Sequence, residues 1–142
     1  MKRLAFLLFL CFIITGLGCS HPDNQQDSSK KEKDTYPIIE FERDFYNFGS
    51  LNQGEKVSHS FGFQNKGNKD LLIRDAVSAC GCTVAQYPKN PVAPGKKGKV
   101  KITFDTAHRR GLQYKTVTLY TNSKNSKKTL YIKANVVVNN KN

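Results

Sequence analysis

The 142-residue sequence predicts an all-β fold, an immunoglobulin-like antiparallel β-sandwich. Three observations carry the prediction. Apolar residues recur at every second position in several runs, and the residues in those runs are β-branched or aromatic. Turn signals separate the runs at short intervals, and no long segment shows helical periodicity. Together they predict about seven or eight short strands in two packed sheets.

The N-terminus comes first. Lys2 and Arg3 precede an apolar run from Leu4 to Ile14, which ends at Gly16-Leu17-Gly18-Cys19. That run is shorter than the ~20 residues of a spanning helix, and it reads as an export signal covering residues 1–18. The sequence before Cys19 resembles the lipobox of bacterial lipoproteins, in which cleavage leaves a cysteine that carries the lipid. Gly18 fits that pattern, whereas Gly16 stands where the pattern usually has leucine. Cys19 is therefore the expected lipidation site, and the membrane is an expected partner through that lipid. The expected location is extracytoplasmic, on a bacterial envelope.

Residues 19–35 read as the lipidated cysteine and a flexible tether. From Ser20 to Thr35 the chain offers no aliphatic or aromatic side chain to bury, and about 16 such residues reach on the order of 20 Å. Residues 36–138 are long enough for one core, and residues 139–142 form a polar tail.

Within the domain, Val57, His59, Phe61 and Phe63 alternate with Ser58, Ser60, Gly62 and Gln64. Val100, Ile102 and Phe104 alternate with Lys99, Lys101 and Thr103. Val117 with Leu119 gives a third run, and Leu130, Ile132, Ala134, Val136 and Val138 a fourth. Each pattern fits a strand with one buried face. Turn signals lie at 52–54, 65–68, 91–98, 109–111 and 122–126. The proline-rich segment at 88–95 is expected to carry the chain between sheets, and the uneven strand lengths favour a sandwich over a closed barrel.

Charge narrows the partners. Removing Lys2 and Arg3 from the 23 Lys and Arg leaves 21 against 11 acidic residues, a net charge of about +10. Lys96, Lys97, Lys99 and Lys101 head a basic set expected on outward positions and turn tips. They suit an acidic envelope component, either anionic headgroups, an acidic glycan or an acidic protein, or simply a solvated face that guards edge strands. Nucleic acid is not an expected partner of an exported chain that lacks interleaved aromatics.

Two thiols remain to be explained. Of four cysteines, Cys11 leaves with the signal and Cys19 takes lipid, so Cys80 and Cys82 are each other's only intramolecular partners. In an extended strand they lie on one face with Cα atoms roughly 6.6 Å apart. A bridge between them needs a bend at Gly81, where glycine supplies unusual dihedrals cheaply. So short a loop stores little unfolded-state entropy, which argues against a stabilising staple.

Three readings of the pair stand side by side. It is passive, either oxidised or packed as two small apolar groups. It binds a soft metal, for which two thiolates suit Cu(I); zinc would require His21, His59, His108 or a dimer to complete four ligands. Or it exchanges disulfides with clients, although no Cys-x-x-Cys helix start is present to lower a thiol pKa. His59 and His108 are secondary metal candidates. His59 is expected as an inward, hydrogen-bonded histidine, and His108 as an exposed loop residue. The sequence contains no G-x-S-x-G, H-E-x-x-H or P-loop motif and no suggestive carboxylate pair, so no hydrolytic chemistry is supported and no catalytic residue is assigned.

Phe48-Gly49, Gly54, Phe61-x-Phe63-x-Asn65-x-Gly67, Cys80-Gly81-Cys82-Thr83, Pro94-Gly95, Phe104-Asp105-Thr106, Gly111 with Lys115, and Thr121-Asn122 follow one another in the chain. In this order they resemble domain of unknown function 1573, a family of exported proteins and lipoproteins of Bacteroidetes-type bacteria, over about residues 38 to 138. The resemblance implies an immunoglobulin-like fold related to major-sperm-protein and hydin modules, which mostly mediate interactions. It implies no substrate. The Cys-x-Cys arrangement is also similar to a copper-delivery family with a membrane-anchored immunoglobulin-like domain. The expectation is a lipid-anchored binding or accessory module and not an enzyme, with no cofactor. Cu(I) handling and thiol–disulfide exchange are the alternatives.

Overall fold

A computed structural model describes residues 35–138. The export segment, Cys19, His21, nearly all of the tether and the tail at 139–142 lie outside the described residues. Eight strands follow in order: β1 (Ile39–Phe41), β2 (Phe45–Asn52), β3 (Lys56–Asn65), β4 (Ile73–Ser78), β5 (Thr83–Gln86), β6 (Lys97–Asp105), β7 (Gly111–Thr121) and β8 (Lys127–Val137). No helix occurs among the described residues.

The strands form two four-stranded sheets, the first ordered β1-β3-β6-β5 and the second β2-β8-β7-β4. The chain alternates between sheets from β1 to β5 and crosses once more between β6 and β7. Alternating residues fill the space between the layers. Phe61 and Phe63 from β3, Val100, Ile102 and Phe104 from β6, Val117 and Leu119 from β7, and Leu130, Ile132 and Val136 from β8 are buried. Burial of each of these side chains contributes about 1.5–3 kcal/mol. Gly98 faces Phe63 across the β3–β6 ladder, and a Cβ at that position would run into the Phe63 ring. Packing alone therefore demands glycine there.

Three expectations need correction. The sheets are not wholly antiparallel, because β2 pairs with β8 in parallel, with a register shift between Asn47 and Ser50. The chain passes to the other sheet after β2 and returns to its edge only at the far end of the sequence, so the pairing closes a long-range crossover. The 88–95 segment does not pass between sheets. It joins β5 to β6, antiparallel neighbours in one sheet, and Val92 bridges to Leu71 on the way. Val138 follows the end of β8 and is exposed, so the core stripe of β8 ends at Val136.

A buried amide ties the turns together. Asn65 is fully buried; its Oδ1 accepts from the N–H groups of Ile38 (3.3 Å) and Gly67 (3.0 Å). Its Nδ2 donates to the carbonyls of Lys69 (2.7 Å) and Val92 (2.8 Å). One side chain thus joins the entry to β1, the β3–β4 connection and the 88–95 segment. Thr106 plays a similar part at the other end. It too is fully buried, with its hydroxyl 2.9 Å from the carbonyls of Asn52 and Glu55.

Candidate functional site

Cys80 and Cys82 occupy the corner where the chain leaves β4 in the second sheet and enters β5 in the first. Local bonds shape it. The Ser78 hydroxyl donates to the Cys80 carbonyl (2.8 Å), and the Thr83 N–H closes a turn onto the same oxygen (3.4 Å). Both sides are tied down: the Ala79 N–H donates to the Thr116 carbonyl of β7, and the Asp105 N–H at the end of β6 donates to the Cys82 carbonyl. The two Cα atoms are 5.3 Å apart and the sulfurs are bonded to each other, well inside the ~6.6 Å of an extended strand.

The bend does not rest on glycine's special conformations. The φ of Gly81 lies outside the left-handed region, and a Cβ there would meet nothing within 4 Å. The sharp turn comes from the bonds of its neighbours. Both cysteines are half-buried, and Cys82 packs against the edge of the core. Thr83 is only 4% exposed, and its Oγ1 sits 3.7 Å from the Cys80 sulfur and 3.8 Å from the Cys82 sulfur.

The histidines are not brought to this corner as a ligand set: among the described residues no group of three or more His, Cys, Asp and Glu is placed to hold a metal. As a bonded pair the sulfurs offer no thiolate, so the expected Cu(I) ligation would require the bridge to be reduced. The half-buried His59 ring lies flat on Tyr46, centroids 3.5 Å apart, and meets Phe61 edge-on at 4.8 Å. It is held by aromatic stacking across the two sheets in place of the expected hydrogen bond. Burial, with help from the nearby Arg43 charge, pushes its pKa below the ordinary 6.5. His108 is exposed in the β6–β7 turn at φ 56°.

Lys97, Lys99 and Lys101 stand on the outer face of β6, with Lys96 just before it, and all four are exposed. Their β3 neighbours across the ladder are Gln64, Gly62 and Ser60, so the row is diluted by one acidic contact, Glu42 at 3.9 Å from Lys97. Lys115, another lysine of the basic set expected on outward positions, departs from that placement. It shares the inward parity of Val117 and is half-buried.

The outer face of the second sheet was not anticipated. Leu112 is 57% exposed, Tyr114 60%, Phe45 46% and Tyr131 45%. Phe45 pairs with Tyr131 across β2–β8, and Tyr131 lies diagonal to Tyr114, whose direct partner is Lys133. The Lys133 ammonium rests 5.3 Å from the Tyr114 ring centre. Val137 extends the same face. A signal was present in β7, where Leu112 and Tyr114 are out of phase with Val117 and Leu119, so the apolar parity flips midway along one strand. A recess of about 390 Å³ lies elsewhere, between Tyr36, Ile38, Ile39 and the β7–β8 turn, and neither cysteine lines it.

These features define an eight-stranded immunoglobulin-like sandwich module. Residues 39–136 match the family described as Protein of unknown function (DUF1573), and the chain belongs to that family. A protein of unknown function from Porphyromonas gingivalis W83 has a similar structure, with TM-score 0.62 and 15% identity over 70% of this chain and 46% of that one. The PapD-like domain 7 of human CEP192 matches at TM-score 0.59 and 14% identity, over 88% of this chain and 99% of that one. The VesB protease of Vibrio cholerae matches at TM-score 0.56 and 18% identity, over 71% of this chain and 32% of that one. The match thus spans under half of both bacterial proteins, and at these identities the likeness speaks for the fold alone. No curated protein matches the sequence.

Proposed function

We propose that the protein is a lipid-anchored binding module on the extracytoplasmic side of a bacterial envelope, and that the outer face of the second sheet receives a protein partner. The observation that carries this reading is the exposed cluster of Phe45, Leu112, Tyr114 and Tyr131 on one sheet surface. Single exposed apolar residues are ordinary, whereas contiguous patches mark interaction surfaces. Tyrosine suits such a surface, since it adds large apolar area at low entropic cost and keeps a polar tip in water. The sequence of the export segment and Cys19 supports the anchor.

The lysine row of β6 lies on the opposite sheet, so an acidic envelope component can be engaged there without competing for the aromatic face. The match to only about a third of VesB is in keeping with a module of this shape serving as an accessory part of a larger protein. The test is a double variant, Leu112→Ser with Tyr114→Ser, in the native envelope. It should keep the thermal stability of the wild type and its lipid, yet lose the partner that the wild type retains. A variant that kept the partner would remove the assignment of this face. Labelling with a fatty-acid analogue should fail for Cys19→Ala and succeed for the wild type.

A further inference from the structure

We infer that the β4–β5 corner is a thiol–disulfide exchange site, in which the Thr83 hydroxyl stabilises the thiolate released when a client dithiol opens the Cys80–Cys82 bridge. The starting observation is the situation of that hydroxyl. Thr83 is nearly fully buried, and the hydrogen-bond partners of its Oγ1 are the two sulfurs, at 3.7 and 3.8 Å. A bridged sulfur carries no proton, so the hydroxyl is the only possible donor of each contact. It is directed at a weak acceptor. A buried donor is poorly served by a neutral sulfur and much better served by a thiolate, because hydrogen bonds to charged acceptors are roughly twice as strong. The arrangement therefore favours the reduced state relative to a site without the hydroxyl.

The surroundings fit an exchange site better than a staple. The bridge spans a sequence separation of 2, so it restricts the unfolded chain very little. The backbone on either side is held by its own bonds to Thr116 and Asp105, so the corner keeps its support when the sulfurs part. Cys82 packs against the core while Cys80 does not, and Gly81 between them is exposed. Cys80 is accordingly the sulfur a client attacks, and Cys82 is the leaving group.

In the first step a client thiolate forms a bond to the Cys80 sulfur as the Cys80–Cys82 bond breaks, and Cys82 departs as a thiolate that accepts from Thr83. In the second step the client's other thiolate attacks its own sulfur in the mixed disulfide, closing the client disulfide and releasing Cys80, which takes up a proton. Two electrons pass from the client dithiol to the pair, and atoms and charge balance. Thr83 touches the reacting sulfurs themselves and acts by stabilising the leaving thiolate.

The test uses the full chain purified in detergent and equilibrated with reduced and oxidised glutathione. Thr83→Val, which keeps the shape and removes the hydroxyl, should shift the equilibrium about tenfold toward the bridged form and raise the pKa of the reduced Cys82 by about one unit. Thr83→Ser should restore both. A Cys82→Ser variant should accumulate a mixed disulfide on Cys80. The inference is overturned if Thr83→Val leaves the equilibrium and the thiol titration unchanged, or if the wild-type bridge resists excess dithiothreitol while the domain stays folded.

Discussion

Replacing Asn65 tests whether one buried amide holds three connections of this sandwich in place. Asn65→Ala removes four side-chain hydrogen bonds and leaves the N–H groups of Ile38 and Gly67 and the carbonyls of Lys69 and Val92 without their partner. At about 0.5–1.5 kcal/mol net for each bond, the loss is about 2–6 kcal/mol. A domain stable by about 5–15 kcal/mol feels that as a large fraction of its stability. Asn65→Asp is the sharper perturbation, because it preserves shape and both bonds to Oδ1 but turns an oxygen toward two carbonyls now 2.7 and 2.8 Å from Nδ2. A buried carboxylate facing carbonyls has its pKa raised above the unfolded value, so its protonated form is the stable one. Stability in this variant is present below the unfolded pKa of ~3.9 and is lost as pH rises through the raised folded value.

Urea unfolding followed by far-UV circular dichroism measures both effects. The midpoint of Asn65→Ala should fall by about 1 M or more, since urea m-values are about 1–3 kcal/mol/M. Asn65→Asp should be at least as unstable at pH 7 and recover part of the gap by pH 4.5. A loss below about 1 kcal/mol for alanine, or wild-type stability of Asn65→Asp at pH 7, would refute the reasoning.

Gly98→Ala should destabilise by about 1–3 kcal/mol through its collision with Phe63, whereas Gly81→Ala, with open space at its Cβ, should change thermal unfolding by less than about 0.5 kcal/mol and leave the bridge intact. Burial, helped by the Arg43 charge, disfavours the charged form of His59 in the fold, so the unfolded chain binds a proton more readily and stability falls as pH drops through the ordinary value of 6.5 toward the lowered folded one. His59→Phe should flatten that slope in melting temperatures recorded from pH 7.5 to 5.5; an unchanged slope would count against the assignment. Changing Lys97, Lys99 and Lys101 together to Gln should weaken adsorption to anionic vesicles and remove most of its salt dependence without changing the melting temperature. Equal adsorption would mean that the row is only a solvated face.

The strands legible in the sequence were the central ones. β3, β6 and β8 flank no open edge, each packs a face against the other layer, and their buried apolar residues therefore alternate, as do those of the equally central β7 from Val117 onward. β1, β2, β4 and β5 are the four sheet edges. β1 is 3 residues and β5 is 4, too short for a period to show, while β2 places its aromatics on both faces, Phe45 outward and Tyr46 inward. Parallel pairing of β2 with β8 joins distant segments and leaves no periodic trace. The spacing of Cys80 and Cys82 was visible at once, but not their place at a crossing between sheets, because the prolines at 88–95 were the louder signal. Asn65 read as a turn residue, and only its burial reveals the four bonds. In β7 the apolar parity flips between Tyr114 and Val117, a trace of the exposed face that becomes legible only once the buried positions are known.

The proposed role depends most directly on whether the aromatic face of the second sheet meets a partner. A photo-crosslinking residue placed at position 114 in cells carrying the native envelope should give one reproducible adduct. The same residue at the exposed turn position Asn90 should not give that adduct. The absence of an adduct at 114, or the same adducts from both positions, would contradict the assignment of this surface.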